Sequence, residues 1–277
     1  MMFMDAEKVR LTKEHDTYLL TLYGKALDNR AKNPILGDWF ADEVVRKIDY
    51  DFGELRIVRG TDTSVPVRAK HLDGWTREFI AANPVSTVLH LGCGLDSRIF
   101  RIDPPATVRW YDVDYPEVIE LRRRLYPERH DYVMIGSSIT EHGWLDEIPA
   151  DRPVLVVAEG VLQYLSEQEG IALFGWITER FSGGQIIFDA YSRLMVRLVS
   201  QLFVLKRAGT SLRWGIGDPL KLEELVPRLE LDTEVPFITL PEMVERQPQS
   251  RVRRAIHGIA SRFRYYRRMV QHLRYRF

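Results

Sequence analysis

Two predicted strands and the glycine turn between them constrain the fold of this chain more than any other feature. The apolar, β-branched run 85–91 predicts a buried parallel strand, which Gly92-Cys93-Gly94 interrupts. A second predicted strand, residues 107–113, follows one short crossover later and brings Asp112 and Asp114 to its end. This order is typical of the nucleotide-binding half of a doubly wound sheet. There the glycines let a ligand approach the backbone, and an acid accepts hydrogen bonds from ribose hydroxyls.

The residues after the turn favour one class of nucleotide. A dinucleotide fingerprint has a third glycine where this chain has Ser97, and the neighbouring Asp96 would repel a pyrophosphate. The same carboxylate suits a cationic ligand that carries no phosphate. S-adenosyl-L-methionine (S-adenosylmethionine) has an ammonium, a sulfonium and an adenosine, so the pattern favours it as the cofactor. NAD, and with it an oxidoreductase, stays open as an alternative.

Composition sets limits on the partners and on the compartment. Lysine plus arginine and aspartate plus glutamate both number 39, so no overall field steers the chain towards nucleic acid or membrane. The single cysteine rules out an internal disulfide and indicates a reducing compartment. The first residues lack the basic region of a signal peptide, and no uncharged apolar run reaches membrane-spanning length. We therefore expect a cytoplasmic protein with no nucleic-acid or membrane partner, and leave its oligomeric state open.

The order of predicted elements indicates an α/β fold. Helical spacing of apolar residues over 4–82 predicts an N-terminal helical cap or lid, residues 1–84. Residues 85–277 would form a Rossmann-like core with an insertion near 192–220. Within that core the predicted strands are 85–91, 107–113, 131–135, 153–158 and 185–190, with helices near 115–126 and 166–181. This alternation favours a mainly parallel sheet that is covered on both faces.

The second half of the chain carries further signals. Ser166 stands three residues before Glu169, which predicts a capping box at the start of a helix. Residues 192–207 have a helical pattern, 230–240 could form a strand, and 272–277 alternate like an antiparallel edge strand. A terminal antiparallel hairpin on a parallel sheet resembles the class I S-adenosylmethionine-dependent methyltransferases, so we expect their mainly parallel seven-stranded sheet.

Candidate binding residues collect at the carboxyl ends of the predicted strands, where the ligands of such sheets lie. Of the two acids, Asp114 is the favoured ribose ligand, although either acid could instead cap the following helix. Glu159 could be a solvated loop residue. The candidate cofactor-binding residues from this reasoning are Gly92, Cys93, Gly94, Asp96, Asp112, Asp114, Ser138, Ile139, Glu159 and Gly160.

Residue type alone says little about a catalytic base. His71 on the predicted lid helix, Tyr164 and Tyr191 are weak candidates, because geometry must decide which group reaches a substrate. His90 lies on a strand and suits a hydrogen-bonded structural role. Cys93, between two glycines, suits a space-filling role better than that of a nucleophile. The sequence predicts no metal site.

Several motifs together resemble the leucine carboxyl methyltransferase family, in particular its bacterial, polyketide-related branch. The motifs that carry this resemblance are Gly92-Cys93-Gly94-Leu95-Asp96-Ser97-Arg98 with Arg101, the run 110–119, the run 158–165, and, upstream, the runs 20–27 and 48–52. The resemblance spans nearly the whole chain. It implies an S-adenosylmethionine-dependent O-methyltransferase of class I fold with an N-terminal helical cap.

The resemblance also implies roles for single residues. Gly92 and Asp114 would contact the methyl donor, Ser138 and Ile139 would lie beside its adenine, and Glu159 near its amino group. Lys25 and Arg68 resemble the basic residues that bind the donor carboxylate. The eukaryotic branch has an aspartate where this chain has Ser138, and the acceptor-binding residues of its protein-modifying members are not recognisable here. The implied acceptor is therefore a carboxyl or hydroxyl group of a small, polyketide-like metabolite.

A rival function starts from the C-terminal stretch 251–277. It holds nine arginines and no acid, with aromatic residues between them, a composition that can bind single-stranded RNA. The alternative is a charged helix that covers the sheet and finds its acidic partners elsewhere in a neutral chain. We favour this alternative.

Overall fold

The computed structural model describes residues 9–10, 16–55, 61–201, 211–245 and 263–277. The strands in these ranges are β1 Val9–Arg10, β2 Ile48–Asp49, β3 Thr87–Leu91, β4 Arg109–Asp114, β5 Tyr132–Gly136, β6 Val154–Ala158, β7 Gly184–Tyr191, β8 Glu230–Pro236 and β9 Val270–Arg276. The α-helices are α1 Asp16–Asn29, α2 Trp39–Lys47, α3 Thr61–Ala82, α4 Arg98–Ile102, α5 Pro116–Leu125, α6 Glu167–Arg180, α7 Arg193–Val199, α8 Leu220–Leu225, α9 Pro241–Glu245 and α10 Arg264–Arg267. Short 3-10 helices are Phe52–Leu55, Gly143–Glu147, Leu162–Tyr164 and Phe237–Thr239.

Among the described residues, seven strands form one sheet in the order β5-β4-β3-β6-β7-β9-β8. The strands from β5 to β7 pair in parallel, whereas β9 runs antiparallel to both β7 and β8. This is the class I methyltransferase architecture that the sequence predicts. The strand order reverses between β3 and β6, and the ligands of doubly wound sheets bind at such a switch point.

The central strands β3 and β6 are buried on both faces, which explains why each is a nearly continuous apolar run. On one face, α3 places Leu72, Trp75 and Phe79 in a buried cluster with Val88 of β3 and Val157 of β6. On the other face, α6 and the 3-10 helices contribute the buried residues Leu145, Leu162, Leu173, Phe174 and Ile177. The predicted capping box is confirmed: the Ser166 hydroxyl accepts the Glu169 N–H, and the Glu169 carboxylate accepts the Ser166 N–H.

Some predicted elements are wrong in place or extent. The strand at the C-terminus, β9, is not at the edge, because it lies between β7 and β8 and hydrogen-bonds to both. The strand expected over 230–240 ends at Pro236, where the chain turns into a 3-10 helix. Residues 4–82 are not helical throughout, since β1 and β2 pair in parallel within them. The helix expected over 192–207 ends at Val199, and residues 202–210 lie outside the described part.

The helix α3 joins the predicted cap to the sheet. It buries one side against β6 and β7 and brings Arg68 to the ends of these strands. It therefore belongs to the layered core as much as to a lid. The division of the chain at residue 84, and the insertion near 192–220, stay predictions.

Three C-terminal arginines that the structure describes, Arg268, Arg274 and Arg276, pair with acids. Arg268 binds Glu234 at 2.6 Å and Asp218 at 3.1 Å, and Arg274 binds Asp232 at 2.7 Å. These arginines thus find the acidic partners expected of a covering segment, although on a strand and its approach rather than on a helix. Residues 251–262 lie outside the described part. No helix among the described residues is long and apolar enough to cross a membrane.

Candidate active site

A cavity of about 1330 Å³ opens at the carboxyl ends of β3, β4, β5 and β6, on the switch point of the sheet. Residues of α1, α3 and α7 form its other walls. Small-molecule sites usually measure about 300–1,000 Å³. The cavity therefore has room for two ligands side by side, such as a donor and an acceptor.

The turn after β3 requires its glycines. Gly92 and Gly94 have φ values of 59° and 48°, a region that other residues rarely adopt. A β-carbon on Gly92 would lie 2.4 Å from Cγ2 of Val161, and one on Gly94 would lie 3.2 Å from Cβ of Tyr18. We call residues 92–97 the donor loop. Cys93 in this loop is buried and borders the cavity, and burial raises the pKa of its thiol well above the usual value.

Asp114, at the end of β4, is placed to bind a ribose. Its Oδ2 accepts the Gly94 N–H at 2.7 Å and its Oδ1 accepts the Tyr115 N–H at 2.8 Å. A carboxylate has about four acceptor positions, so these bonds orient the group and leave two positions for ligand hydroxyls. Burial raises the pKa of Asp114, and the two backbone N–H groups oppose this rise.

Asp112 does not border the cavity, so its position gives no support to its prediction as a cofactor ligand. Its Oδ1 receives the Trp110 indole N–H at 2.9 Å and lies 3.2 Å from Nδ1 of His90. Its Oδ2 binds the Arg122 guanidinium and accepts the Tyr132 hydroxyl at 2.5 Å. These four contacts fill the carboxylate's acceptor positions, so Asp112 is the buried counterion of Arg122.

Asp96 of the donor loop lies in a cluster of ion pairs rather than free in the cavity. Its carboxylate is 2.8 Å from Lys25 Nζ and 2.6 Å from Arg101 Nη1. Burial alone would raise the pKa of Asp96, but Arg101, Lys25 and Arg98 together hold it well below its usual range. Lys25 and Asp96 both border the cavity, so its wall presents both signs of charge there.

Glu159 and Gly160, after β6, border the cavity beside Asp96, because Arg98 contacts the carboxylates of both Glu159 and Asp96. Glu159 binds the guanidinium of Arg98 and lies 3.0 Å from Nε of Arg68. Burial would raise the pKa of Glu159, but Lys25, Arg98 and Arg68 lower it. Gly160 has a φ of 69°, and a β-carbon there would lie 2.9 Å from the Arg68 guanidinium. Glycine at this position thus allows Arg68 to reach the strand ends.

The loop after β5 supplies Ser138 and Ile139, and both border the cavity. The Ser138 hydroxyl lies 2.8 Å from the Thr140 hydroxyl, and Ile139 is 7% exposed. This pair offers an apolar surface next to a polar group, as an adenine ring and its amino group require.

The three candidate bases differ in position. His71 does not border the cavity: its Nδ1 lies 2.8 Å from Nδ1 of His272, and its ring packs on Trp75, so its position gives no support to a role as a base. Tyr164 and Tyr191 do border the cavity. Burial raises the pKa of Tyr164 to about 12 and raises that of Tyr191, so both hydroxyls stay protonated.

Sequence reasoning missed several residues that build the site. Asp189 of β7 accepts the Gly160 N–H at 2.5 Å and binds Arg68 at 3.2 Å. Asp73 of α3 binds both Arg98 and Arg101, at 2.8 and 3.0 Å. Arg98 and Arg101 belong to the glycine motif. Asp189 and Asp73 carry no local sequence signal, because their partners lie tens of residues away in the chain.

Comparison with known proteins identifies the family. The family model described as leucine carboxyl methyltransferase matches residues 18–178. The tetracenomycin polyketide synthesis O-methyltransferase TcmP of Streptomyces glaucescens is 45% identical over 242 residues, which cover 87% of this chain and 90% of the relative. The chain belongs to the leucine carboxyl methyltransferase family. It is an S-adenosylmethionine-dependent O-methyltransferase, and the oxidoreductase and RNA-binding alternatives find no support.

Further relatives agree on the cofactor and the fold. The S-adenosyl-L-methionine-dependent methyltransferase dpfgK of Gibberella zeae is 37% identical over 249 residues, 82% of this chain and 83% of the relative. A solved S-adenosylmethionine-dependent methyltransferase of Mesorhizobium loti covers 76% of this chain with a TM-score of 0.53 at 14% identity. At that identity the structural match shows the fold alone.

The cavity of this leucine carboxyl methyltransferase family member fits the donor chemically. Asp114 has two free acceptor positions for the ribose hydroxyls, and Ser138 and Ile139 offer a surface for the adenine. A zwitterionic amino-acid end suits a wall that alternates cations and carboxylates, and the cations there are Lys25 and Arg68. Among the described residues, no cluster of His, Cys, Asp or Glu could hold a metal ion.

Proposed function

We propose that this enzyme transfers the methyl group of S-adenosylmethionine to a carboxylate oxygen of a small, largely apolar metabolite. The observation that supports a carboxylate is that neither the histidine nor the two candidate tyrosines of the cavity wall is available as a base. His90 is the one histidine among the described lining residues, and its two ring nitrogens lie 3.2 Å from Asp112 and 3.0 Å from Arg98. Tyr164 and Tyr191 keep their protons because burial raises the pKa of each.

A carboxylate acceptor needs no base on the protein. It is already ionised at neutral pH, whereas a phenol or an alcohol must lose a proton during the reaction. The donor, when bound, supplies an electrophilic methyl group on a sulfonium. The chain then has to orient the two ligands in line and exclude water.

The part of the cavity beyond the donor residues combines many apolar side chains with the polar side chains of Gln163, Glu169 and Arg213. Residues of α7 and of the segment after β8 line it, and those with apolar side chains are Met195, Leu198, Val199, Phe237, Ile238 and Met243. Such apolar side chains suit an apolar ring system. TcmP takes its name from tetracenomycin polyketide synthesis, and we extend that class of acceptor, a polyketide-like aromatic acid, to this chain.

The residues of the site divide between holding the donor and closing the cavity. Asp114 and the donor loop would hold the adenosine, and Lys25, Arg68 and Glu159 its amino-acid end. Tyr18 on α1 packs against Gly94 and closes that side of the cavity. We place the reaction in the cytoplasm, in keeping with a single cysteine and a reducing compartment.

The chemistry of the product tests this proposal. The enzyme is incubated with methyl-labelled donor and with matched pairs of aromatic acceptors that carry either a carboxylate or a phenol on one ring system. We expect label only on the carboxylic acids, in a product that releases labelled methanol in alkali, as an ester does. A product that withstands alkali, as an ether does, would replace the carboxylate by a hydroxyl acceptor.

The pH profile is a second, independent readout. A carboxylic acid with a pKa near 4 is fully ionised above about pH 6, so its turnover should change little up to about pH 9. A phenol with a pKa near 10 would instead react about tenfold faster for each pH unit in that range. The variants Tyr164→Phe and Tyr191→Phe should keep the flat profile. A profile that becomes steep or vanishes in either variant would identify that tyrosine as part of the proton path.

A further inference from the structure

One face of α5 and the residue after it contact three successive carbonyl groups of the donor loop. Arg122 Nη1 donates to the carbonyl oxygens of Gly94 and Asp96, at 2.8 and 2.9 Å. The Tyr126 hydroxyl donates to the carbonyl oxygen of Leu95 at 2.7 Å. Residues four apart lie on the same side of a helix, which explains how one element reaches all three groups.

The contacting pair is buried and rigid. Arg122 is fully buried and Tyr126 is 5% exposed, and the guanidinium carbon lies 4.9 Å from the centre of the Tyr126 ring. Asp112 balances the charge of Arg122, and the Tyr132 hydroxyl accepts from the same guanidinium at 2.9 Å. Arginine suits this position because its planar group presents several donors in fixed directions.

We propose that Arg122 and Tyr126 are positioning residues for methyl transfer, which act by holding the backbone of the donor loop. Neither residue borders the cavity, so neither touches the donor itself. Gly94 and Asp96, whose carbonyls Arg122 contacts, border the cavity, whereas Leu95 between them packs in a buried cluster with residues of α1. The Gly94 N–H binds Asp114 at 2.7 Å, and the Asp96 side chain binds Lys25 at 2.8 Å.

Loss of these hydrogen bonds to the donor loop should therefore weaken donor binding. With its carbonyls free, the loop can rotate, and the N–H of Gly94 and the carboxylate of Asp96 then leave the positions that orient Asp114 and Lys25. Small displacements of positioned groups lower the rate strongly, because the reacting atoms lose their alignment. The inference depends on the donor alone and not on the acceptor that we propose above.

Two buried tyrosines whose hydroxyls each donate to a backbone carbonyl, Tyr126 and Tyr275, provide a matched test. Tyr126→Phe removes only the hydroxyl that holds the loop. Tyr275→Phe removes an equally buried hydroxyl that donates to the carbonyl oxygen of Pro219 at 2.8 Å, outside the loop and outside the contacts of Arg122. The affinity of each variant for S-adenosylhomocysteine is measured by isothermal titration, and its thermal unfolding midpoint is measured without ligand.

The expected result separates positioning from stability. Tyr126→Phe should weaken S-adenosylhomocysteine binding about three- to tenfold, the effect of one hydrogen bond. Tyr275→Phe should lower the unfolding midpoint and leave the affinity within about twofold. Unchanged affinity in Tyr126→Phe, or equal losses of affinity in both variants, would overturn the proposal.

The variant Arg122→Lys provides a second test of the proposal. It keeps a positive charge opposite Asp112, but a compact ammonium replaces the planar guanidinium that contacts both Gly94 and Asp96. We expect a loss of S-adenosylhomocysteine affinity larger than that of Tyr126→Phe, about tenfold or more. An affinity equal to that of the unaltered enzyme would exclude Arg122 from positioning. If this variant does not fold, the tyrosine pair still decides the question.

Discussion

The carboxylate of Asp114 accepts the backbone N–H of Gly94 at 2.7 Å and so ties the end of β4 to the donor loop. The bond joins the two features that the sequence singles out, the glycine turn and the acid after the next strand. It also leaves the carboxylate with acceptor positions that face the cavity. The relationship explains why neighbouring parallel strands can build one adenosine site.

Asp114→Ala should weaken donor binding without unfolding the protein. Hydrogen bonds to a charged group contribute about 1.5–3 kcal/mol, so we expect S-adenosylhomocysteine affinity to fall about 10- to 100-fold. Isothermal titration measures the affinity and circular dichroism checks the fold. Asp151→Ala is the control, because that acid is 54% exposed and pairs only with surface arginines. An unaltered affinity in Asp114→Ala would remove this acid from the donor site.

Asp112→Asn should instead lower the stability of the protein, with a smaller effect on donor binding. It leaves the buried Arg122 without its counterion, and breaking a buried ion pair typically costs about 3–5 kcal/mol of stability. Urea denaturation should show this loss directly. A variant with full stability and greatly weakened donor binding would instead return Asp112 to the set of donor ligands.

Protonation of Asp112 should make the protein less stable at acidic pH. Burial would raise the pKa of Asp112, but Arg122 and the bond from His90 outweigh it and lower the pKa to about 2. The unfolded value is about 3.9, so the ionised group adds about 2 kcal/mol above pH 4. That contribution is lost as the pH falls from about 4 to about 2. The urea midpoint of Asp112→Asn should therefore depend less on pH in this window than that of the unaltered protein, and equal slopes would contradict the assignment.

The sequence was sufficient for the fold class and for the part of the cavity wall that follows the parallel strands, for a physical reason. Glycine turns and acids that follow parallel strands must meet at one edge of the sheet, whatever the side chains around them do. This holds for Gly92, Asp114 and Glu159, which all border the cavity. It does not tell Asp112 from Asp114, because that difference depends on Arg122, which only the folded chain brings to Asp112.

Other features of the site also depend on contacts that are distant in sequence. His71 was a candidate base by residue type, yet it pairs with a histidine 201 residues away and faces away from the cavity. The periodicity of a helix shows which residues share a side, but not which neighbour that side meets. The predicted edge position of the last strand was wrong for the same reason. Alternation of polar and apolar residues indicates a strand but not its place in the sheet.

Glu159→Gln should reduce both donor binding and stability. The substitution keeps the shape but removes the charge that Arg98 and Arg68 share. We expect kcat/KM for the donor to fall about tenfold or more and the unfolding midpoint to drop, since two buried cations lose a partner. Glu167→Gln, on an exposed position of α6, is the matched control and should change neither quantity. Unaltered kinetics in Glu159→Gln would reduce this acid to a loop residue.

Alanine at two glycines should separate backbone strain from helix propensity. At Gly92 the new β-carbon would lie 2.4 Å from Val161 Cγ2 at a φ of 59°, so we expect Gly92→Ala to lower stability by about 2 kcal/mol or more and to abolish donor binding. Gly175 lies inside α6 with nothing within 4 Å of a β-carbon, and Gly175→Ala should raise stability by about 1 kcal/mol. Thermal unfolding and titration with S-adenosylhomocysteine measure both effects. If Gly92→Ala bound the ligand normally, the donor loop would not approach it closely, and the placement of the donor over this turn would be wrong.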